Sequence, residues 1–332
     1  MRHHHHLRLT AIALGILSAS STYASCGSTA CSINTNWDEH SASKPGLSMD
    51  LRYSYSQADQ LRSGSNKITA NPTDPALVAG SEVENLRTIN KIITAGIDYT
   101  HDEHWGVALN IPYISREHSH SLADTNPALV GTDSFSANSL GDIKAVGRYR
   151  WSHGESADAG MGVKFGLKLN TGKSDFLLAS GTLPNEVSLQ PGNGSTDLIL
   201  GLFWQQANPA SSLSWFAQGM VQSAIQNKTE YKPGNQINLD AGTRYAFSKD
   251  LSGLLQVNAQ WNAADSGTSA ALTSTGEASS GGNSVSLTPG ISYAIATDTN
   301  VYGLVQVPLY QYVNGEQLTA NYSGTIGINH RF

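Results

Sequence analysis

The chain has 332 residues, a formal net charge of −6, 14% charged and 39% hydrophobic residues, and only two cysteines. Mild acidity argues against the basic footprint of a nucleic-acid binder. Beyond the amino-terminal segment no apolar run is long enough for a transmembrane helix, whereas the abundant Gly, Ser, Asn, Thr and Tyr suit strands and long polar loops.

The beginning, MRHHHHLRLTAIALGILSASSTYAS, places Arg2 and Arg8 ahead of a short apolar run at 9–17, followed by small residues up to Ala24. That layout predicts a secretory signal over 1–24, cleaved after Ala24. Its removal takes Arg2 and Arg8 with it and moves the charge to about −8. The His run has no assigned role in the mature protein. Tyr23-Ala24-Ser25-Cys26 faintly resembles a lipoprotein box with Tyr where Leu is expected, so lipidation of Cys26 is an alternative. In an oxidising periplasm, Cys26 and Cys31 of CGSTAC most simply close a small disulfide loop. A metal or redox pair is the sharper reading, but no nearby ligand completes a site. Residues 25–45 read as a polar periplasmic leader before the barrel, one that hangs in the periplasm or folds into the lumen.

From Gly46 to Phe332 the sequence alternates in polarity between turn residues. Leu47, Met49, Leu51, Tyr53 and Tyr55 oppose Ser48, Asp50, Arg52 and Ser54. Side chains alternate faces along a strand, so each such segment has one apolar and one polar face. A long loop is expected over 57–84, broken by Pro72 and Pro75. The second strand ends at Tyr99, and Lys91 interrupts its apolar face, as a bulge or a snorkelling side chain. The HDEH turn leads to Trp105, Val107, Leu109, Ile111 and Tyr113, and a second long loop covers 119–138. LGDIKAVGRYRW follows, then the SHGES turn, then Met161, Val163, Phe165, Leu167 and Leu169 facing away from Lys164 and Lys168. A third long loop spans 173–193. Further strands carry Leu198 to Trp204, Leu213 to Val221, Ile237 to Phe247 and Leu251 to Asn262. After a Gly/Ser/Thr-rich loop at 265–283, the tenth strand ends near Thr297, the eleventh reaches about Tyr312, and the last is 319–332.

Long and short connections alternate strictly. Outer-membrane barrels have long extracellular loops and short periplasmic turns, so this asymmetry predicts an all-β, antiparallel transmembrane barrel of about twelve strands. Trp105, Trp151, Trp204 and Trp215 fall beside the short turns with Tyr99, Tyr149, Tyr245 and Phe247, the place of a periplasmic aromatic girdle. A soluble β-sandwich explains the alternation but neither the gathered aromatics nor the sorted loops. The closing segment TANYSGTIGINHRF ends on Phe332 and resembles the carboxy-terminal strand of bacterial outer-membrane barrels. The resemblance implies that Phe332 belongs to the signal read by the barrel assembly machinery, and that outer-membrane lipid surrounds the wall.

With the faces assigned, Arg52, Lys144, Arg148, Arg150, Lys164, Lys168 and Arg244 point inward, as do Asp50, Asp142, Asp197 and Asp240. Two readings follow: an anion-attracting lumen wall, or side chains that pair across strands and fill a narrow interior. His101 and His104 with Asp102 and Glu103, and His118 and His120 with Glu117, have metal-binding chemistry but no second shell, so no metal and no cofactor are expected. An outer-membrane phospholipase has a comparable size, but its His-x-Ser-Asn-Gly signature is absent, since His120 stands where its Ser belongs. No GxSxG or HExxH occurs, and no enzyme activity is expected.

Leu140-Gly141-Asp142-Ile143-Lys144, leading to Gly147-Arg148-Tyr149, is similar to the Gly-Asp strand opening of channel-like outer-membrane proteins related to the meta-pathway phenol-degradation transporters. That resemblance implies passive passage of small solutes, aromatic or hydrophobic ones among them. The expectation is therefore an outer-membrane channel for small anionic or aromatic solutes. Its rival is a plugged structural or surface barrel acting through its extracellular loops.

Overall fold

The computed structural model describes residues 45–152, 159–177, 187–208, 211–228, 230–267 and 280–332. The expected signal, Cys26 and Cys31, most of the SHGES turn and the greater part of the loop at 265–283 lie outside them. The strands are β1 (Gly46–Gly64), β2 (Asn66–Lys67), β3 (Glu82–Thr100), β4 (Trp105–Leu122), β5 (Gly131–Leu140), β6 (Ile143–Ser152) and β7 (Ala159–Leu169). They continue with β8 (Ser195–Asn208), β9 (Leu213–Asn227), β10 (Gln236–Ala246), β11 (Leu251–Asn262), β12 (Gly282–Ala296) and β13 (Thr299–Arg331).

Neighbours in the wall pair antiparallel, and β13 closes the sheet on β1 through pairs such as Leu51 with Ile328 and Tyr53 with Ile326. β13 doubles back at Asn314-Gly315, where Gly315 takes a φ of 62°. Its first leg pairs with β12 and its second with β1. Among the described residues the closed wall therefore has twelve legs, with β2 and β5 as additions. Closure leaves no strand edge in the lipid, where an unsatisfied backbone group costs several kcal/mol.

The burial pattern is that of a barrel in lipid rather than of a water-soluble core. Leu202 is 64% exposed on the outer face while Ile199 and Phe203 beside it are 0% and 5% exposed inside. Polar Gln256, Thr288 and Thr325 are buried in the interior. The aromatic girdle forms at the short turns: ring centroids lie 4.7 Å apart for Trp105–Tyr149, 5.8 Å for Tyr149–Trp151 and 5.2 Å for Tyr245–Phe247.

Three local expectations change. β1 runs on to Gly64 and β4 to Leu122, and β5 occupies Gly131–Leu140, so the loops expected at 57–84 and 119–138 are much shorter. Above the lipid a strand needs no apolar face, so pairing such as Ser121 with Thr132 persists where alternation has faded. The segment LGDIKAVGRYRW is not one strand: β5 pairs with the outer half of β4, β6 with the inner half, and Gly141-Asp142 lies between. At Lys91 the pairing runs unshifted against both Tyr55 and Ser115, and the ammonium bonds Glu117 Oε1 at 2.8 Å on the outer face. An ion pair, not a bulge, accommodates that charge.

The described parts of the third loop, 173–177 and 187–193, pack into the mouth of the barrel. Leu189, 2% exposed, packs with Phe176 against inward-facing Phe135 and Ala137. Arg116 Nη1 donates to the carbonyls of Ser188 (2.7 Å) and Gln190 (3.2 Å), which fixes the loop to β4.

Candidate functional site: the barrel lumen

Near the short turns the lumen is filled. Phe216, Leu254, Tyr302 and Leu304 form a buried cluster from β9, β11 and β13, and Phe203 lies against Gly162. The Tyr302 hydroxyl donates to Asp50 Oδ2 at 2.7 Å, and Asp50 pairs with Arg52 at 2.7 Å. Arg52 in turn donates to Asn110 Oδ1 at 3.1 Å. Arg148 makes a bidentate contact with Asp98, its Nη2 to Oδ1 at 2.9 Å, and Nη2 also donates to Thr100 Oγ1 at 2.6 Å. The guanidinium lies directly over Gly106, where a Cβ would collide with it.

Further outward, two polar ladders cross the strands. Lys164 donates to Gln218 (2.9 Å), Gln218 to Asp240 (2.8 Å), Asn258 to Asp240 (2.6 Å) and Thr288 to Asn258 (2.7 Å). This ladder joins β7 to β12 with buried groups that satisfy one another, as an interior of low dielectric demands. In the second ladder Lys168 stands 3.0 Å from Asp142 and 3.4 Å from Asp197, and also donates to Ser195 and Asn193. Asp142 accepts backbone N–H groups from Gly172 (2.9 Å) and Asn193 (3.3 Å), so the same carboxylate holds both ends of the third loop. Gln222 Nε2 donates to Asp197 at 2.6 Å, and Lys144 donates to Gln222 Oε1 at 3.1 Å.

The inward basic residues are thus brought together but largely compensated. Arg52, Arg148 and Lys168 bind carboxylates directly, and Lys164 reaches Asp240 through Gln218. Arg244 Nη2 donates to Ser252 at 3.1 Å. Arg150 is buried beside Gly160, and its carbonyl lies 2.9 Å from His104 Nδ1. Lys144 differs from the rest in being exposed while it points inward; like Lys164 it donates to a glutamine, and Gln222 in turn donates to Asp197.

Residues 89–332 match the family described as a putative MetA-pathway of phenol degradation. The chain belongs to that family. Among solved structures, this family member is similar to the COG4313 outer membrane channel from Pseudomonas putida F1, with a TM-score of 0.63 and 10% identity over 87% of this chain and 96% of that one. It is also similar to the NanC porin, with a TM-score of 0.46 and 8% identity over 86% of this chain and 100% of that one. The P. putida toluene transporter TodX gives a TM-score of 0.43 and 10% identity over 86% and 89%. At such identities the likeness shows the fold alone. No curated protein matches the chain. The phenol-degradation family member is a bacterial outer-membrane β-barrel, as its closed wall and girdle require.

The family member's histidines fall in two places. His101 and His104 flank a periplasmic turn in which Asp102 accepts the N–H groups of Trp105 (2.7 Å) and His104 (2.8 Å), so the carboxylate is spent on the turn and held below its ordinary value. His118 Nε2 lies 3.1 Å from His120 Nδ1 inside the outer barrel, and His118 Nδ1 lies 2.9 Å from Thr88 Oγ1. Among the described residues no group of three or more His, Cys, Asp or Glu is placed to hold a metal ion.

Asp98, Asn110, Gln218 and Gln222 were not singled out from the sequence. The signal for Asp98 is present, since it shares parity with inward Thr94 and Gly96 against outward Ile97 and Tyr99. Gln218 and Gln222 share parity with Ser214 in the same way, but nothing in the sequence says which cation each glutamine meets.

Proposed function

We propose that this barrel is an outer-membrane channel through which small solutes pass by diffusion. The observation that carries the reading is Lys144, a side chain that points inward from β6 and is exposed within a closed wall, which supports an open interior path at its level. Among the described residues Lys144 is an exposed inward cation with no carboxylate at ion-pair distance, which supports a mild preference for anions, softened by the pairs that Arg52, Arg148 and Lys168 make with Asp50, Asp98, Asp142 and Asp197. The purified, heat-modifiable protein in planar bilayers is expected to give discrete, stable conductance steps, with reversal potentials in a salt gradient shifted toward the anion.

One observation favours the rival reading of a plugged barrel. Phe203, Phe216, Leu254 and Leu304 fill the periplasmic half, and Leu189 enters from the other side. A bilayer that stays silent with correctly folded protein would overturn the channel and leave the plug.

Insertion belongs to the same proposal. The Phe332 N–H donates to Leu47 O at 2.8 Å while its ring is 67% exposed on the outer face, a placement that supports recognition by the assembly machinery. A Cys26–Cys31 disulfide is proposed for the leader, and non-reducing mass spectrometry finding free thiols or a lipid on Cys26 would reject it.

A further inference from the structure

We infer that Lys144 is the anchor of a solute-binding subsite that takes small monoanions with an apolar body, such as ring carboxylates. The inference rests on the channel reading and names the solute class that the channel selects.

The contrast with Lys168 is the starting point. The two lysines are cross-strand partners on β6 and β7, with the same inward parity and the same chemistry. Lys168 is buried between Asp142 and Asp197. Both carboxylates are then further occupied, Asp142 by the N–H groups of Gly172 and Asn193, Asp197 by Ser195 and Gln222. Among the described residues no carboxylate oxygen lies within ion-pair distance of Lys144, whose hydrogen bond goes to Gln222 Oε1. An ammonium has three donors and no acceptor. Among the described residues Gln222 takes one of them, and the inward-pointing Lys144 side chain is exposed. A single anion fits this vacancy in the charge pattern, and it meets a cation already stripped of part of its bulk water.

The surroundings define the rest of the solute. On β4 the cross-strand partner of Lys144 is Asn110, whose Oδ1 accepts from Arg52. The inward neighbours above and below that pair are apolar and partly exposed: Ala108, Pro112 and Ile114 on β4, and Val146 on β6. Pro112 and Ile114 crowd the space beside Gly141, and Val146 covers Gly166, so this apolar surface is fixed by packing. A charged head at Lys144 thus has an apolar wall within the length of one small ring. A compact hydrophilic anion would use the cation and ignore the wall, whereas a neutral aromatic would use the wall and leave the ammonium unpaired. A dianion would require a second uncompensated cation, and Arg52 beside the site is already bound to Asp50.

Benzoate, acetate, benzyl alcohol and benzylammonium separate these contributions. Each is titrated into detergent-purified protein by ligand-observed NMR and, in parallel, into the chamber of a planar bilayer. Benzoate is expected to bind and to block the current transiently at concentrations at least about tenfold below those needed for the other three. Lys144→Met is expected to raise the half-blocking concentration of benzoate by about tenfold or more, and Lys144→Arg to retain the block. Val146→Ser should weaken benzoate more than acetate. Heat modifiability checks that each variant folds. Steps without benzoate selectivity, or selectivity that survives Lys144→Met, would overturn the subsite while the channel stands. Benzoate binding lost in Lys144→Met, in a protein that shows no steps, would overturn the channel and keep the subsite. No benzoate binding and no steps would overturn both.

Discussion

Replacing Lys168 with Met removes the ammonium that two buried carboxylates share. Its Nζ is 3.0 Å from Asp142 and 3.4 Å from Asp197, and the three side chains are 5%, 9% and 4% exposed. Breaking a buried pair from one side leaves an uncompensated charge and costs roughly 3–5 kcal/mol. Asp142 would keep the N–H groups of Gly172 and Asn193, and Asp197 would keep Ser195 and Gln222. The lower end, about 3 kcal/mol, is therefore expected, or roughly a hundredfold in the unfolding constant. Urea titration of protein refolded into lipid vesicles, followed by tryptophan fluorescence, reads the loss. Because Asp142 holds both ends of the third loop, the amides of Gly172 and Asn193 should exchange faster as well. Adding Asp197→Asn to Lys168→Met should recover part of the stability, since one stranded charge disappears. A loss under about 1 kcal/mol, or a double variant weaker than the single, would refute the view that Lys168 is there to neutralise these acids.

Four other outcomes can be measured. Leu200→Arg places a cation on the outer face, where Leu200 is 51% exposed, and should cost roughly 2–4 kcal/mol of insertion near the bilayer midplane; an unchanged heat-modifiable fraction would show the faces to be reversed. Gly162→Ala brings a Cβ against the Tyr149 carbonyl and the Phe203 ring and should lower stability by roughly 1–3 kcal/mol in the same urea titration. Asp102 is held below its ordinary value of 3.8, first by the Trp105 N–H and then by the His104 N–H, so its contribution to the turn is complete at neutral pH and fades only as pH falls below 3.8 toward the folded value. An NMR titration midpoint at or above 3.8 would contradict this. Deleting Phe332 should reduce the membrane-inserted fraction in cells, and undiminished insertion would remove its role as an assembly signal.

Legibility in the sequence followed the lipid. Within the bilayer, Leu198, Leu200 and Leu202 must all face outward, so parity and strand count could be read from β8 and its neighbours. Outside it, β5 and the upper parts of β1 and β4 carry only scattered apolar residues such as Leu61, Phe135 and Ala137, and nothing in their pattern separates a paired strand from a loop. The lumen was legible by direction but not by partner. Parity put Lys144 and Lys168 on the same side, yet one is buried between two acids and the other is exposed. That difference arises from the break at Gly141-Asp142, which swings the Asp142 carboxylate onto Lys168, and from glutamines reaching across from β9. Such contacts depend on stagger between strands that are distant in sequence, and a periodic pattern carries no record of stagger.

The hairpin of β13 ties the end of the chain to its beginning, since its second leg pairs with β1 over the span from Ser48–Arg331 to Ser63–Glu316. Of all the wall's pairings this one closes the longest loop, and loop-closure entropy makes such contacts the last to form. Until the final residues arrive, β1 offers an unpaired edge of up to 19 residues with tyrosines and leucines on one side. An edge of that kind recruits other strands. The folding problem of this barrel is therefore one of waiting: its first strand must be kept from foreign partners for the whole time the other strands take to assemble.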